Sequence, residues 1–329
     1  MKKYILLILC ILLSIQTKTL EIFKNIPLAE KNWFKTGGSA KFYCEPQTTT
    51  DIKLALNFAN KNNLEVFILG QGAHVLISDD GFDGIVITPK MKRISHIFYE
   101  SYVLVNAQAG ATIFELIEYC MKNSIIGLEE FAYIPASVGG ALCNNIKYFS
   151  KNIGDYVACS KILEKSTNKI INVEQKWFNF GYNTSKLKNE NHILLDTTFK
   201  LKPGTKLECA YAKGRHDEII RQRKSRYPTK RTCGFFFRNF TKKEVELTNN
   251  KTTNVIYYLS KLCIAGNLNI CGAHVSHKHP NMLATKIGTN TNNIIDLAIE
   301  IQKMCYKKFG LIPQPECKLV GFKKYPLIK

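Results

Sequence analysis

"FILGQGAHVLISDDGFDGIVI", Phe67 to Ile87, is the stretch on which the reading of this 329-residue chain turns. An apolar run meets Gly70 and Gly72, crosses a short loop, passes Asp79-Asp80-Gly81 and enters a second apolar run. Glycines let backbone N–H groups approach a ligand closely, and successive N–H groups in such a turn form an anion-binding concavity. Two readings stand at this point. One is a phosphate cradle; the other is a β-hairpin closed by a glycine-rich loop.

Outward from this stretch the chain alternates between helical and strand periods. "TTTDIKLALNFANKNN" offers Thr50 or Asp51 as a cap and places Ile52, Ala55, Leu56 and Ala59 on one helical face. "YVLVNAQAG" alternates as a half-exposed strand, with Val103, Val105, Ala107 and Ala109 on one side. "ATIFELIEYCMKN" returns to helical spacing at Ile113, Leu116, Ile117 and Cys120. "NNIIDLAIEIQKMCYKKFG" carries a stripe of Ile294, Leu297, Ala298, Ile301 and Cys305, closed by Gly310 as C-cap. Pro203-Gly204 in "LKPGTKLE" ends the strand "HILLDTTFKL" and marks the domain boundary. The pattern predicts an α+β chain in at least two parts, divided as an apolar segment 1–20, a domain 21–203 and a domain 204–329.

Hydrophobic content of 45% with 22% charged residues is ordinary for a globular protein, but the net charge of +20 is not. It points to polyanions: nucleic acid, anionic lipid or phosphorylated small molecules. The densest basic group, "RHDEIIRQRKSRYPTKRTCGFFFRN" from Arg215 to Asn239, has no recognised nucleic-acid module around it, so no nucleic-acid partner is expected. Eleven cysteines include no C-x-x-C pair and sit mostly in apolar runs such as "EYCMKN", "ALCNN", "KLCIAG" and "KMCYKK". They read as small hydrophobes in a reducing compartment. His274, His277 and His279 of "HVSHKHP" lack an accompanying Cys or carboxylate pattern, so no metal site is expected. The start, "MKKYILLILCILLSIQTKT", disagrees with the cysteines. Its basic flank and apolar run Tyr4 to Ile15 have the shape of a secretory signal or a tether.

Five further motifs stand around the opening stretch: "FKTGGSAKFYCEP", "IIGLEEFAYIPASVGGALCNN", "FNFGYNTSKL", "CGAHVSHKHPNML" and "PQPECKLVGF". In this order and at these distances the set resembles the UDP-N-acetylenolpyruvoylglucosamine reductase family (MurB), over roughly residues 24 to 322. No long insertion follows "YNTSKL", which makes it similar to the shorter form of that family. The resemblance implies a two-part FAD-binding domain of the PCMH/vanillyl-alcohol-oxidase type, followed by a C-terminal α+β substrate domain. It implies FAD and NADPH as cofactors and UDP-N-acetyl-enolpyruvylglucosamine as substrate, reduced to UDP-N-acetylmuramate for peptidoglycan. It also implies a cytoplasmic enzyme, here expected to be a monomer without a stable protein partner and held to the inner membrane if residues 4–15 act as a tether.

On that resemblance the cradle reading gains a ligand. Gly70, Gln71, Gly72, Ala73, His74, Val75 and Leu76 would hold the FAD pyrophosphate. Ile134, Pro135, Ser137, Gly139 and Gly140 would lie along the flavin from the other side, with Asn145 just beyond. Arg238, Asn239, Lys278 and His279 would contact the substrate. Hydride delivery to one carbon leaves charge on its neighbour, which a cation and a carboxyl group stabilise and an acid must protonate. Glu316 matches the family's Glu and Tyr182 its Tyr. Asn183 stands at the Arg position, and Phe235 at the proton donor of the "G-S-x-F-K-N" loop, with Cys233 as the nearest exchangeable substitute. Ala73-His74 stands for Ser-Asn, and Tyr133 and Ala136 for glycines. These departures leave two expectations: a working reductase with relocated groups, or a degenerate member that binds flavin or UDP-sugar without reducing it.

Overall fold

The structure, a computed structural model, describes residues 20–189 and 191–329. The apolar segment at 4–15 lies outside the described residues. Strand Phe82–Ile87 has parallel neighbours on both sides, Ser39–Cys44 and Glu65–Ile68, and Phe23–Pro27 adds an antiparallel edge. The two ends of the opening stretch therefore run in the same direction, with Phe67 opposite Val86. This corrects the hairpin reading: a tight hairpin reverses the chain, whereas parallel neighbours need a longer crossover. The crossover contains a strand of its own, Val75–Ile77, which pairs in parallel with Lys318–Val320 near the other end of the chain.

Helix Thr49–Lys61 covers this sheet through Ile52, Ala55, Leu56 and Ala59, all buried. Its cap is Thr48 rather than Thr50 or Asp51. The Thr48 hydroxyl accepts from Asp51 N–H at 3.1 Å and the Asp51 carboxylate accepts from Thr48 N–H at 2.9 Å. Asp51 is thus the third residue of a capping box.

A second sheet, antiparallel, orders its strands as Ile170–Glu174, Val157–Glu164, His192–Pro203, Val103–Gln108 and Ile94–Phe98. Helix Ile113–Lys122 packs its predicted stripe onto it, and Val103, Val105, Ala107 and Ala109 are buried as the alternation requires. The long strand ends at Pro203, and helix Lys206–Arg226 turns back so that Ile219 enters the core of this same sheet.

The third core gathers Phe236, Phe237, Tyr258, Ile294, Leu297, Ile301 and Cys305, together with Phe34 and Leu76 from the first part of the chain. Helix Thr291–Phe309 buries the expected stripe and ends at Gly310 with φ 71°, a conformation that favours glycine. All ten described cysteines are free. Cys44, Cys120, Cys233, Cys305 and Cys317 are buried, but Cys263 of "KLCIAG" is exposed at φ 53° in the turn after helix Val255–Lys261. Among the described residues no helix is long and apolar enough to cross a membrane.

Candidate active site

A cavity of about 2220 Å³ opens where the three cores meet, lined by residues from the opening stretch, the 133–149 region, the 222–235 region and the 314–325 segment. Gly70, Gln71, Gly72, Ala73, His74 and Val75 line it. The N–H groups of residues 70 to 74 donate to no protein acceptor among the described residues. A row of unspent donors facing a cavity suits the oxygens of a diphosphate. Gly72 is required by the protein itself as well: its φ is +64°, and a Cβ there would stand 2.2 Å from the Lys31 carbonyl. Leu76 points away, into the third core.

The second loop works differently. Val138 and Gly139 N–H donate to the carbonyls of Ala111 and Ala109 at 2.7 and 2.9 Å, and Gly140 N–H donates to Ser137 Oγ at 3.2 Å. Its donors hold the loop in place, and Ile134, Pro135, Ser137, Gly139 and Gly140 offer the cavity a surface. Asn145 is a clamp outside the lining: its Nδ2 donates to the Gly181 carbonyl and its Oδ1 accepts from Gly154 N–H, both at 3.1 Å. Tyr133 keeps φ +63° although it carries a bulky side chain, so the backbone retains the shape that a glycine would favour.

Glu316 reaches the cavity through two backbone pairings. Its N–H donates to the Phe236 carbonyl at 2.7 Å, and two residues later Lys318 N–H donates to the His74 carbonyl at 3.1 Å. This brings the carboxyl between Tyr182 and His74. Tyr182 O–H donates to Oε2 at 3.3 Å, and His74 Nε2 lies 3.7 Å from Oε1. The Glu316 side chain is only 13% exposed, and burial pushes its carboxyl up to about 7. A carboxyl of that strength near neutral pH can act as an acid.

Asn183 lines the cavity at φ 49° beside Tyr182, a conformation that Asn tolerates. Phe235 also lines it, half-buried and stacked on His279 at 4.7 Å. Cys233 is 3% exposed, and burial, with Cys317 against it, pushes its thiol well above the ordinary value. That makes it a poor acid. Arg238, Asn239, Lys278 and His279 are not among the lining residues. Arg238 forms a two-pronged ion pair with Glu244 at 2.8 and 2.9 Å, and Lys278 Nζ donates to the Lys224 carbonyl at 2.8 Å. Asn239 Oδ1 accepts from Val255 N–H at 3.1 Å. Among the described residues no cluster of His, Cys, Asp or Glu could hold a metal ion.

Sequence reading missed two cations. Lys188 lines the cavity five residues beyond Asn183, desolvated in the wall and facing Glu316. Arg223 lines it between the rings of Tyr148 and Tyr227, 5.5 and 5.3 Å from their centroids. Neither sits in a motif. Helical spacing was the available signal for Arg223, and for Lys188 there was none.

A free-donor loop and a buried acid face one cavity, and residues 40–164 match a FAD binding domain, which marks the class as a flavin-binding protein. Residues 226–320 match the C-terminal domain of UDP-N-acetylenolpyruvoylglucosamine reductase. The chain belongs to the UDP-N-acetylenolpyruvoylglucosamine reductase family. It is 28% identical over 306 residues to the UDP-N-acetylenolpyruvoylglucosamine reductase of Clostridium novyi (strain NT), covering 92% of each chain. It is also 28% identical over 307 residues to that of Lactiplantibacillus plantarum, covering 92% of this chain and 94% of the relative. Among solved structures it is similar in fold to the reductase (MurB) of Thermus caldophilus, with a TM-score of 0.72 at 19% identity, over 92% of this chain and 98% of that one.

Proposed function

We propose that this chain is a flavin-dependent reductase that takes reducing equivalents from NADPH and converts UDP-N-acetyl-enolpyruvylglucosamine to UDP-N-acetylmuramate. The observation that carries the reading is Glu316, a buried acid hydrogen-bonded by Tyr182 and lying 3.7 Å from His74 Nε2 at the mouth of the free-donor loop. The N–H groups of residues 70 to 74 would hold the FAD diphosphate, and the 134–140 loop would flank the isoalloxazine. Bound FAD supplies hydride chemistry. The protein's part is to bind the sugar nucleotide, keep water from the reacting carbons, spread the enolate charge and give a proton.

Asn183 offers that enolate a hydrogen bond but no charge. Lys188, in the same wall, supplies a positive field instead. Arg223 suits a phosphate oxygen, and Phe235 offers bulk alone. The reading also gives a division into a flavin-binding part through residue 203 and a substrate-binding part from 204, a cytoplasmic site of action, and a monomer.

The test is direct. The full chain is purified, its visible spectrum recorded, and NADPH oxidation followed with and without the enolpyruvyl sugar nucleotide. Flavin bands and substrate-dependent oxidation are expected. Colourless protein that takes up no FAD, or flavin that passes no electrons to the substrate, rejects the reading.

A further inference from the structure

We infer that His74 is a positioning residue for proton transfer: its buried, unpartnered Nε2 faces the Glu316 carboxyl and keeps that group a carboxylic acid, so that Glu316 gives the proton that Phe235 cannot. The inference rests on the reductase reading above.

The tautomer follows from geometry. His74 Nδ1 lies 3.1 Å from the Cys233 carbonyl, which can only accept, so Nδ1 carries the hydrogen. Nε2 is then a lone pair. It is buried without a hydrogen-bond partner among the described residues; Glu316 presents it both its carboxyl, with Oε1 at 3.7 Å, and its backbone carbonyl close to the ring. A lone pair facing a carboxylate gains nothing; facing a carboxylic O–H it gains a hydrogen bond once the two close by a few tenths of an ångström. Such contacts are often long before substrate binds. Both groups lose solvation here: burial lowers the imidazole and raises the carboxyl to about 7, which disfavours an ion pair between them.

Other groups face this pair from each neighbouring segment. Tyr182 donates to Oε2, Lys188 presents its ammonium with the Cys143 thiol and Lys318 close to it, and the Cys233 and Cys317 thiols lie behind. Lys188 lowers both Glu316 and His74, so it opposes the acid form of Glu316 while helping keep His74 neutral. Burial outweighs it at Glu316.

The step balances simply. Hydride from the established family reaction forms one C–H bond at the enolpyruvyl double bond, and the electron pair passes to the neighbouring carbon and its carboxylate. The Glu316 O–H bond breaks, the second C–H bond forms at that neighbouring carbon, and a solvent proton restores Glu316 before the next turnover.

The experiment has two arms on the full-length protein. In the first, ¹⁵N NMR of histidine-labelled protein, with His74 assigned by loss of its signals in His74→Asn, should show Nδ1 protonated and Nε2 bare. The Nε2 resonance should shift with a midpoint near pH 7, and that shift should vanish in Glu316→Gln. In the second, the substrate-dependent rate should fall above about pH 7 in the parent. That limb should move down by roughly half to one pH unit in His74→Asn, whose amide can donate to the carboxylate. A protonated Nε2, or an unmoved limb in an active variant, overturns the inference alone. A parent that binds flavin but never reduces the substrate overturns the reductase reading, and this role with it.

Discussion

The carboxylate of Asp79 holds the N-terminus of the Thr291–Phe309 helix: Oδ1 accepts from Thr291 N–H at 2.9 Å and Oδ2 from Asn292 N–H at 3.0 Å. The Asp-Asp-Gly turn of the opening stretch therefore ties the flavin-binding part to the longest helix of the third core. A negative charge at a helix N-terminus also meets the positive end of the helix dipole. Asp79→Ala should cost about 1–2 kcal/mol, read as a lower thermal midpoint. An unchanged midpoint would show the contact to be idle.

Gly72→Ala should damage folding and flavin binding together. The added Cβ meets the Lys31 carbonyl at 2.2 Å and sits at φ +64°. A clash of that size with backbone, added to left-handed strain of about 1 kcal/mol or more, forces the loop to move. Thermal unfolding and flavin absorption are the two readouts, and a variant that keeps both intact contradicts the geometry.

Glu316→Gln should abolish reduction of the substrate while NADPH still reduces the flavin. It should also change the pH dependence of stability. The folded carboxyl stands near 7 and the unfolded one near the ordinary ~4.3, so the folded state holds the extra proton between them. That contribution is fully present below about pH 4.3 and is lost as pH rises through 7. The parent should therefore lose of the order of 1–3 kcal/mol across this window, and the Gln variant should not. Denaturant titrations at pH 5 and 8 read the difference; parallel losses in both proteins would refute the assignment.

His279 acts with the opposite sign. Burial beside Phe235 holds its imidazole down to about 4, against about 6.5 unfolded. Its contribution is present above pH 6.5 and is lost as pH falls through 4, because there the unfolded state binds more protons. His279→Gln should flatten the acid side of the stability profile by of the order of 1–3 kcal/mol. A profile that keeps the parent's slope between pH 6.5 and 4 would place the imidazole in water instead.

Asn183→Arg should raise turnover by roughly tenfold or more, since it restores a charge beside the developing enolate. Phe235→Ser alone should gain much less, because the acid is already present as Glu316. The half-buried ring of Phe235 makes its removal tolerable. Single-turnover rates on folded single and double variants separate the two; a larger gain from Phe235→Ser would point to a missing donor after all.

The helices were legible because their apolar residues recur at helical spacing over two to three turns, as in Ile113–Cys120 and Ile294–Cys305. The turn at residues 70–74 was legible from its glycines. The pairing of strands Val75–Ile77 and Lys318–Val320 was not, because three-residue strands carry no period and a parallel partner leaves no turn signal between them. That hidden pairing is what sets His74 beside Glu316, so the heart of the site escaped the sequence although both residues were singled out. Lys188 escaped for a different reason. A lone lysine in a chain with 46 Lys and Arg residues is indistinguishable from a solvated surface charge until the wall around it is built.

Among the described residues strand Val75–Ile77 has a single strand neighbour, and that neighbour, Lys318–Val320, lies far along the chain from it. During synthesis the two earlier sheets can close on local and medium-range contacts, while this short strand waits with its edge unpaired. Closure then depends on contacts of very large sequence separation, the kind that slow folding most. A truncated chain that stops before residue 316 thus carries the 70–74 loop without Glu316 beside it. Placing Glu316 two residues before that strand makes its seating in the cavity wall depend on contacts that form late in folding.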